Sequence, residues 1–161
     1  MQSDTSVTNV VIAGLGGQGV LKASAILADA VFRAGMDVKK SELHGMSQRG
    51  GSVHSDVRFG PKVYSPMVPP GEGDYLLVLT ADQIEPNRGL LKPDVVVIGP
   101  DAIDPARLPN RKSLNVALLG ILSSHLTIAE EHWMAALGRN FPEKHLEANR
   151  QAFQIGRQQS R

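Results

Sequence analysis

The residues with the clearest chemical potential form a glycine-rich turn inside the stretch NVVIAGLGGQGV, at positions 9–20. The turn contains Gly14, Gly16, Gly17, Gln18 and Gly19. A G-x-G-x-x-G turn between a strand and a helix leaves backbone N–H groups free at the start of the helix, where an anion such as a dinucleotide pyrophosphate can bind. The spacing alone is weak evidence, because a tight strand-to-helix junction also needs glycines.

A second loop, rich in glycine and hydrogen-bond donors, occupies positions 44–51 with the sequence HGMSQRGG. Its candidate contact residues are His44, Gly45, Met46, Gln48, Arg49, Gly50 and Gly51. An arginine among three glycines supplies strong donors on a flexible backbone, which suits an anion or a partner chain. For Arg49 such a contact and a structural ion pair are equally open, whereas for His44 a hydrogen bond that shapes the loop is favoured.

Several common catalytic and metal-binding patterns are missing from the sequence. The five histidines show no H-E-x-x-H or other short metal spacing, and neither a G-x-S-x-G elbow nor a G-x-x-x-x-G-K-[ST] loop occurs. The chain has no cysteine, which excludes disulfides, thiolate zinc sites and cysteine-ligated iron–sulfur clusters within it. We therefore predict no catalytic residue and no metal ligand in this chain.

Charge and composition narrow the range of partners. The net charge is +1, and no run of basic residues with interleaved aromatics occurs, which argues against nucleic-acid and anionic-membrane binding. The first residues, MQSDTSVT, lack the pattern of a secretory signal, and no apolar stretch is long enough to cross a bilayer. With 161 residues, we expect one domain in the cytoplasm.

The elements that would position the two loops form an alternation of strands and helices. A strand at 10–13 precedes a mostly buried helix at 20–34, and further strands are predicted at 37–43, 74–80 and 95–98. This order favours a Rossmann-like three-layer α/β fold with a mainly parallel sheet. Both glycine loops would then leave the carboxyl ends of strands and lie at the same edge, where such folds bind ligands or partners.

An inserted β-hairpin interrupts the parallel pattern. Residues 52–59 alternate as a half-exposed strand, with His54, Asp56 and Arg58 on its polar face. Residues 63–65 are expected to return antiparallel after a Gly-Pro turn. The remaining connections are a helix at 81–91, broken by proline and glycine, and a loop at 101–112.

The C-terminal part is predicted to be helical. An apolar helix spans 114–126, and Thr127-x-x-Glu130 fits a capping box for the next helix. A last helix after Pro142 carries many polar groups, so we expect it on the surface or against another chain. These segments divide a single domain into a disordered tail at 1–8, an α/β core at 9–113 and a helical part at 114–157.

One interpretation of the glycine turn is a nicotinamide-binding site. A Rossmann unit holds the ribose with an acidic residue near the end of its second strand, and Glu42 is the only candidate at about that offset. Lys39 and Lys40 either favour a 2′-phosphate or form a solvated strand edge. A free-standing NAD(P)-binding oxidoreductase is therefore an alternative function.

Five stretches taken together resemble the gamma-type subunit, a single domain, of pyruvate and other 2-oxoacid:ferredoxin oxidoreductases. They are GLGGQGV, HGMSQRGGSVHSDVRFG, VYSPMVPPGEGDYLL, LNVALLGILSSHL and FPEKHLEANRQAFQIGR, within about 9–157. HGMSQRGG is similar to the indolepyruvate branch, whose corresponding subunit is called beta. Members often have a longer segment where this chain has 99–113, which leaves the choice of 2-oxoacid open.

The resemblance implies an oxidoreductase complex that converts a 2-oxoacid to an acyl-CoA. Thiamine diphosphate, Mg²⁺ and iron–sulfur clusters are expected on a larger partner subunit, and electrons pass to ferredoxin while coenzyme A takes the acyl group. This chain would be an accessory subunit, inactive alone, that forms the wall beside the coenzyme A approach. The loop 44–51 and Ser65 would lie at that junction. A regulatory or scaffold domain of the same fold, and a homodimer of the isolated chain, are further possibilities.

Overall fold

The fold is an α/β domain with a five-stranded sheet. The computed structural model describes residues 6–44 and 51–159. Its strands are β1 (Thr8–Leu15), β2 (Asp37–His44), β3 (Ser52–Gly60), β4 (Gly73–Val78) and β5 (Leu91–Ile98), and its α-helices are α1 (Val20–Arg33), α2 (Leu114–Ser123), α3 (Glu130–Asn140) and α4 (Glu143–Gln159). Short 3₁₀ turns occupy Ala81–Gln83, Glu85–Leu90, Pro100–Ala102, Pro105–Arg107 and Arg111–Ser113.

The sheet has the strand order β2-β3-β1-β4-β5. Strand β1 is parallel to β4, and β4 is parallel to β5, whereas β3 is antiparallel to both of its neighbours, β1 and β2. Four of the five strands therefore point the same way, and the predicted mainly parallel sheet of an α/β fold is confirmed. The carboxyl ends of β1 and β2 and the amino end of β3 lie at one edge of the sheet.

All four helices contribute to one side of the sheet. Val10 and Ile12 of β1 belong to the large core cluster that also contains apolar residues of α1, α2, α3 and α4. The opposite side carries Val11 and Ala13, which pack with Val68 and the 3₁₀ turns after β4. The predicted third layer is thus made of the chain at 61–72 and short turns rather than α-helices.

Helices α2 and α4 cross at two glycines, Gly120 and Gly156. A Cβ atom added at Gly120 would collide with the Phe153 carbonyl oxygen, and one added at Gly156 would collide with the Ala117 carbonyl oxygen. Ala152 and Phe153 of α4 are fully buried. The last helix lies on the surface, as predicted, but the close crossing with α2 also buries one of its faces in the chain's own core.

Three local predictions differ from the structure. The antiparallel partners of β3 are β1 and β2, and residues 63–65 form no strand. The Val63 N–H instead donates to the Asp37 carboxylate at 2.7 Å. Helix α3 begins after Ala129 without a side-chain cap, so the capping box at Thr127 and Glu130 is not formed. Strand β1 already begins at Thr8, inside the predicted tail, and residues 1–5 lie outside the described range.

None of the helices in the described ranges combines the length and apolar character needed to cross a bilayer.

Candidate functional site

The two glycine loops meet at the carboxyl end of β1. The Gly16 N–H donates to the Gly51 carbonyl oxygen at 2.9 Å. A cavity of about 430 Å³ is lined by the glycine turn together with His44, Val53 and Lys22. The structure therefore brings Gly16, Gly17 and Gly19 to the same place as both ends of the second loop, as predicted. Gly45, Met46, Gln48, Arg49 and Gly50 lie outside the described residues.

The side-chain amides of Gln18 and Asn115 occupy the space beside the glycines of the turn. The Gln18 Oε1 accepts a hydrogen bond from the Leu15 N–H at 2.7 Å, and it would lie only 2.9 Å from a Cβ atom on Gly14. Gly19, the residue that precedes α1, has φ +89°, and its carbonyl oxygen accepts from the Asn115 Nδ2 at 3.1 Å. A Cβ atom on Gly19 would collide with the Asn115 amide. These glycines therefore allow internal packing.

Asn115 is a site residue that sequence reasoning missed. It lies 96 positions from Gly19 and is 5% exposed at the start of α2. The only signal in the sequence is one amide side chain at the head of the apolar run LNVALLGIL. Because buried amides need hydrogen-bond partners, that position implied a contact, but it gave no information on where the partner lies.

The geometry does not favour a nicotinamide site. Strand β3 separates β2 from β1, so Glu42 is on the second strand away from the glycine turn, roughly 10 Å away at the usual strand spacing. A Rossmann unit needs its acidic residue on the strand adjacent to β1. The Glu42 carboxylate instead forms an ion pair with Lys40 at 2.7 Å.

Ser65 is placed away from the two loops. Its carbonyl oxygen accepts from the Arg58 Nη1 at 2.8 Å, and the Arg58 Nε donates to Asn9 near the start of β1. Asn9 and Leu15 lie near opposite ends of β1, about 20 Å apart for an extended strand. Within this chain, Ser65 therefore does not join His44 and Gly51 in one site.

A second cavity adjoins the outer side of the glycine turn. It measures about 420 Å³ and is lined by Gly17, Gln18, Leu79, Arg111 and Lys112, among others. Two exposed cations thus lie beside a turn with open space at Gly17, where an added Cβ atom would meet nothing within 4 Å. This surface is suited to an anionic group supplied from outside the chain.

A cluster of polar side chains, His54, Asp56 and Asn87, lies near His44 on the side of the sheet that carries no α-helix. The His54 Nδ1 lies 2.9 Å from the Asn87 Oδ1, and its Nε2 lies 3.7 Å from the Asp56 Oδ1. The other Asp56 oxygen accepts from the Val68 N–H at 2.9 Å. This arrangement attaches the chain at 61–72 and the 3₁₀ turn at Glu85–Leu90 to β3.

Burial perturbs both titratable groups of this cluster. It lowers the pKa of His54, against the opposing effect of the neighbouring Asp56. It also raises the pKa of Asp56, against the Val68 N–H and the charges of His54 and Arg58. The prediction of a half-exposed polar face was wrong for Asp56, whose side chain is 2% exposed. Alternation in β3 gave the correct faces, but it carried no information on what covers them.

We expect His54 to make stability depend on pH. Its pKa in the folded chain lies below the ordinary value of 6.5, so the unfolded chain binds more protons just below that pH and stability falls as the pH falls. His54→Gln keeps an amide toward Asn87 and cannot titrate. Denaturant unfolding between pH 7.5 and 5.5 should show that stability falls more steeply with falling pH in the wild type than in the variant. The raised pKa of Asp56 contributes in the opposite direction in both proteins. Equal slopes for the two would contradict the assignment.

In the ranges 6–44 and 51–159, no three or more His, Cys, Asp or Glu side chains are grouped so that they could hold a metal ion.

Comparisons with known proteins give the relatives of this chain. The pyruvate ferredoxin/flavodoxin oxidoreductase family matches residues 9–159. The indolepyruvate oxidoreductase subunit IorB of Thermococcus kodakarensis is 55% identical over 69 residues, which cover 43% of this chain and 34% of that protein. Across four IorB subunits, the matched stretch spans 34–48% of the relative, so less than half of each one's length is matched.

Two solved structures share the fold. The gamma subunit of a keto/oxoacid ferredoxin oxidoreductase from Geobacter sulfurreducens PCA has a TM-score of 0.81 at 24% identity, with 97% of both chains covered. The 2-oxoglutarate:ferredoxin oxidoreductase from Magnetococcus marinus, with 2-oxoglutarate, coenzyme A and succinyl-CoA bound, has a TM-score of 0.82 at 21% identity. That match covers 97% of this chain and 31% of the longer one, where the same fold is part of a larger polypeptide.

Proposed function

The chain belongs to the pyruvate ferredoxin/flavodoxin oxidoreductase family, and on this premise we propose that it is the accessory subunit of a 2-oxoacid:ferredoxin oxidoreductase. The proposed substrate class is arylpyruvates, indolepyruvate first, and the product is the corresponding acyl-CoA. The observation that carries this choice is the 55% identity to an indolepyruvate oxidoreductase subunit.

The cofactors of the reaction are proposed to lie on a larger partner subunit. The chain has no cysteine with which to hold an iron–sulfur cluster. It also lacks the glycine-aspartate-glycine motif of thiamine diphosphate sites, so its residues do not fit either group. Ferredoxin and coenzyme A would therefore bind to the assembled complex, and the isolated chain would be inactive. A cytoplasmic location and a homodimer of the isolated chain stay predictions.

This chain's own part is proposed to be the wall beside the coenzyme A approach. The support is the edge where Gly16 contacts Gly51 and where Arg111 and Lys112 face the cavity beside Gly17. Coenzyme A carries several phosphate charges, which cations beside a bare backbone can attract without a catalytic group. Arg49, which lies between β2 and β3 in the sequence, would add a further cation. Ser65 is not included, because it lies near the other end of β1.

Reconstitution tests the proposal. The chain is co-expressed with the larger thiamine- and cluster-bearing subunit of the same organism, and ferredoxin reduction is followed with indolepyruvate, phenylpyruvate, pyruvate and 2-oxoglutarate. We expect activity that needs both chains, coenzyme A and an arylpyruvate. Activity of the isolated chain, or full activity of the larger subunit without it, would contradict an accessory role.

We expect Arg49→Ala to raise the KM for coenzyme A about 10- to 100-fold in the complex, the usual cost of a charge-assisted hydrogen bond. The KM for the 2-oxoacid and the yield of complex should stay unchanged. Arg150→Ala is the matched control, because Arg150 is exposed on α4 and its nearest acidic oxygen, on Glu147, is 3.9 Å away. Unchanged coenzyme A kinetics and unchanged assembly in Arg49→Ala would show that this arginine has only a local role.

A further inference from the structure

Helix α1 has a second apolar face beside the one that packs in the core, and of its residues Ala28 still touches the core cluster. Leu21, Ala25, Ala28 and Phe32 follow one another at spacings of four, three and four, which places them on one side of the helix. Leu21 is 39% exposed and Phe32 is 68% exposed, although both are large apolar side chains. The two alanines between them are half-buried. This outer stripe therefore has large side chains at its ends and a shallow, alanine-lined middle.

A groove of about 740 Å³ lies along the part of the outer stripe from Ala25 to Phe32, between α1, β2 and α3. Ala25, Ala28 and Phe32 form its apolar part. The rest of its lining is strongly charged, with Arg33, Lys40, Arg139 and Asp29. An apolar strip with a charged rim is the usual design of a groove that accepts an amphipathic helix.

The charges of the groove are predominantly positive. The Asp29 Oδ1 pairs with Arg33 at 3.0 Å within α1, while its Oδ2 is buried without a hydrogen-bond partner. Lys40 pairs with Glu42 on its own strand at 2.7 Å. Arg139, on α3, forms no ion pair with any of the residues 6–44 and 51–159. Three cations and one carboxylate line the groove. Because Arg33 and Lys40 are paired with carboxylates, Arg139 is the charge that an acidic side chain of a ligand would complement.

A second copy of this chain fits the stripe by size but not by charge. In a two-fold antiparallel pair of α1 helices, Leu21 would lie opposite Phe32, and Ala25 opposite Ala28, of the other copy. The same arrangement brings Arg33 of one copy next to Lys22 of the other. Like charges facing each other across an interface suppress such pairing.

We propose that this groove docks an acidic amphipathic helix of the larger subunit, with an apolar side chain of that helix seated over Ala25 and Ala28. The inference rests on the proposed function, which supplies the partner. It places an assembly surface on the outer side of α1, whereas the glycine turn precedes the first residue of that helix. Assembly and coenzyme A contact therefore depend on different residues.

The test is the dissociation constant between the purified chain and the purified larger subunit, measured by calorimetry at 50 mM and 300 mM salt. Phe32→Ala and Arg139→Glu are each expected to weaken binding at least tenfold, and the Arg139→Glu variant should lose most of the salt dependence. The matched controls are Val97→Ala, an exposed apolar residue on β5, and Arg150→Glu, an exposed cation on α4. Both controls should stay within twofold of the wild type, and thermal unfolding verifies that every variant is folded.

The outcomes separate this inference from the proposed function. If the wild type does not bind the larger subunit, the proposed function fails. If the wild type binds and neither groove variant weakens binding, the groove is not the docking surface. A wild-type homodimer that Phe32→Ala dissociates, in light scattering of the isolated chain, would assign the groove to a second copy and overturn the proposal. Slowed amide exchange in residues 21–33 on complex formation is the expected direct result.

Discussion

Replacing Gly156 with alanine is expected to lower the free energy of unfolding by about 1–3 kcal/mol, the usual cost of forcing an extra carbon into a packed interior. The reason is the helix crossing of α2 and α4, where the new Cβ atom would collide with the Ala117 carbonyl oxygen and lie 3.1 Å from the Ile121 nitrogen. Both are backbone atoms, so no side-chain rotation can relieve the contact. Only a shift of one helix can, and that shift would disturb the packing of Trp133 on Phe153.

Gly138 provides the matched control for this substitution. It lies in α3, is exposed, and has nothing within 4 Å of an added Cβ atom. Gly138→Ala should therefore raise stability by up to about 1 kcal/mol, because alanine is the better helix former. Denaturant unfolding followed by fluorescence can measure both, since the chain has a single tryptophan, Trp133, and it is fully buried. Equal effects of the two substitutions would show that the crossing is looser than described.

The sequence predicted the elements whose signals are local. Apolar runs gave β1 and β4, and the spacing of Ala23, Leu27, Ala30 and Val31 gave the buried face of α1. These signals arise because each residue's environment is decided by neighbours in the same element. The order of the strands carries no such signal. The sequence therefore predicted a mainly parallel sheet but not that β3 would lie between β1 and β2.

The errors occurred where distant segments decide the outcome. A glycine inside a helix usually weakens it, and nothing local in the sequence shows that Gly120 and Gly156, 36 positions apart, permit a close crossing. Asp56 alternates as a surface residue would, yet the chain around Val68 covers it. The meeting of the two glycine loops was predictable from strand direction, whereas the Asn115 contact that occupies one of them was not.

Alanine substitutions at Gly17 and Gly19 of the glycine turn can be compared directly, because both residues have a left-handed φ of +89°. Alanine in that conformation costs about 1–2 kcal/mol at either position. At Gly19 it also collides with the Asn115 amide, whereas at Gly17 the added carbon points into open space. We therefore expect Gly19→Ala to be the more destabilising substitution in denaturant unfolding, and Asn115→Ala to remove most of the difference.

Kinetics of the reconstituted complex can show whether the glycine turn contacts a ligand or serves only internal packing. Gly17 lines the cavities on both sides of the turn. If a ligand binds directly to the turn, the added methyl group of Gly17→Ala should obstruct it. The stability of the chain should then change only by the cost of backbone strain. If the glycines serve internal packing instead, Gly19→Ala lowers the yield of assembled complex and Gly17→Ala leaves the KM for coenzyme A within about twofold. We expect the second pattern, because the Gln18 and Asn115 amides already occupy the space beside Gly14 and Gly19. The proposed attraction of coenzyme A comes from the side chains of Arg111 and Lys112, which Gly17→Ala leaves in place. A larger rise of that KM in Gly17→Ala than in Gly19→Ala would instead make the turn a ligand-contacting surface.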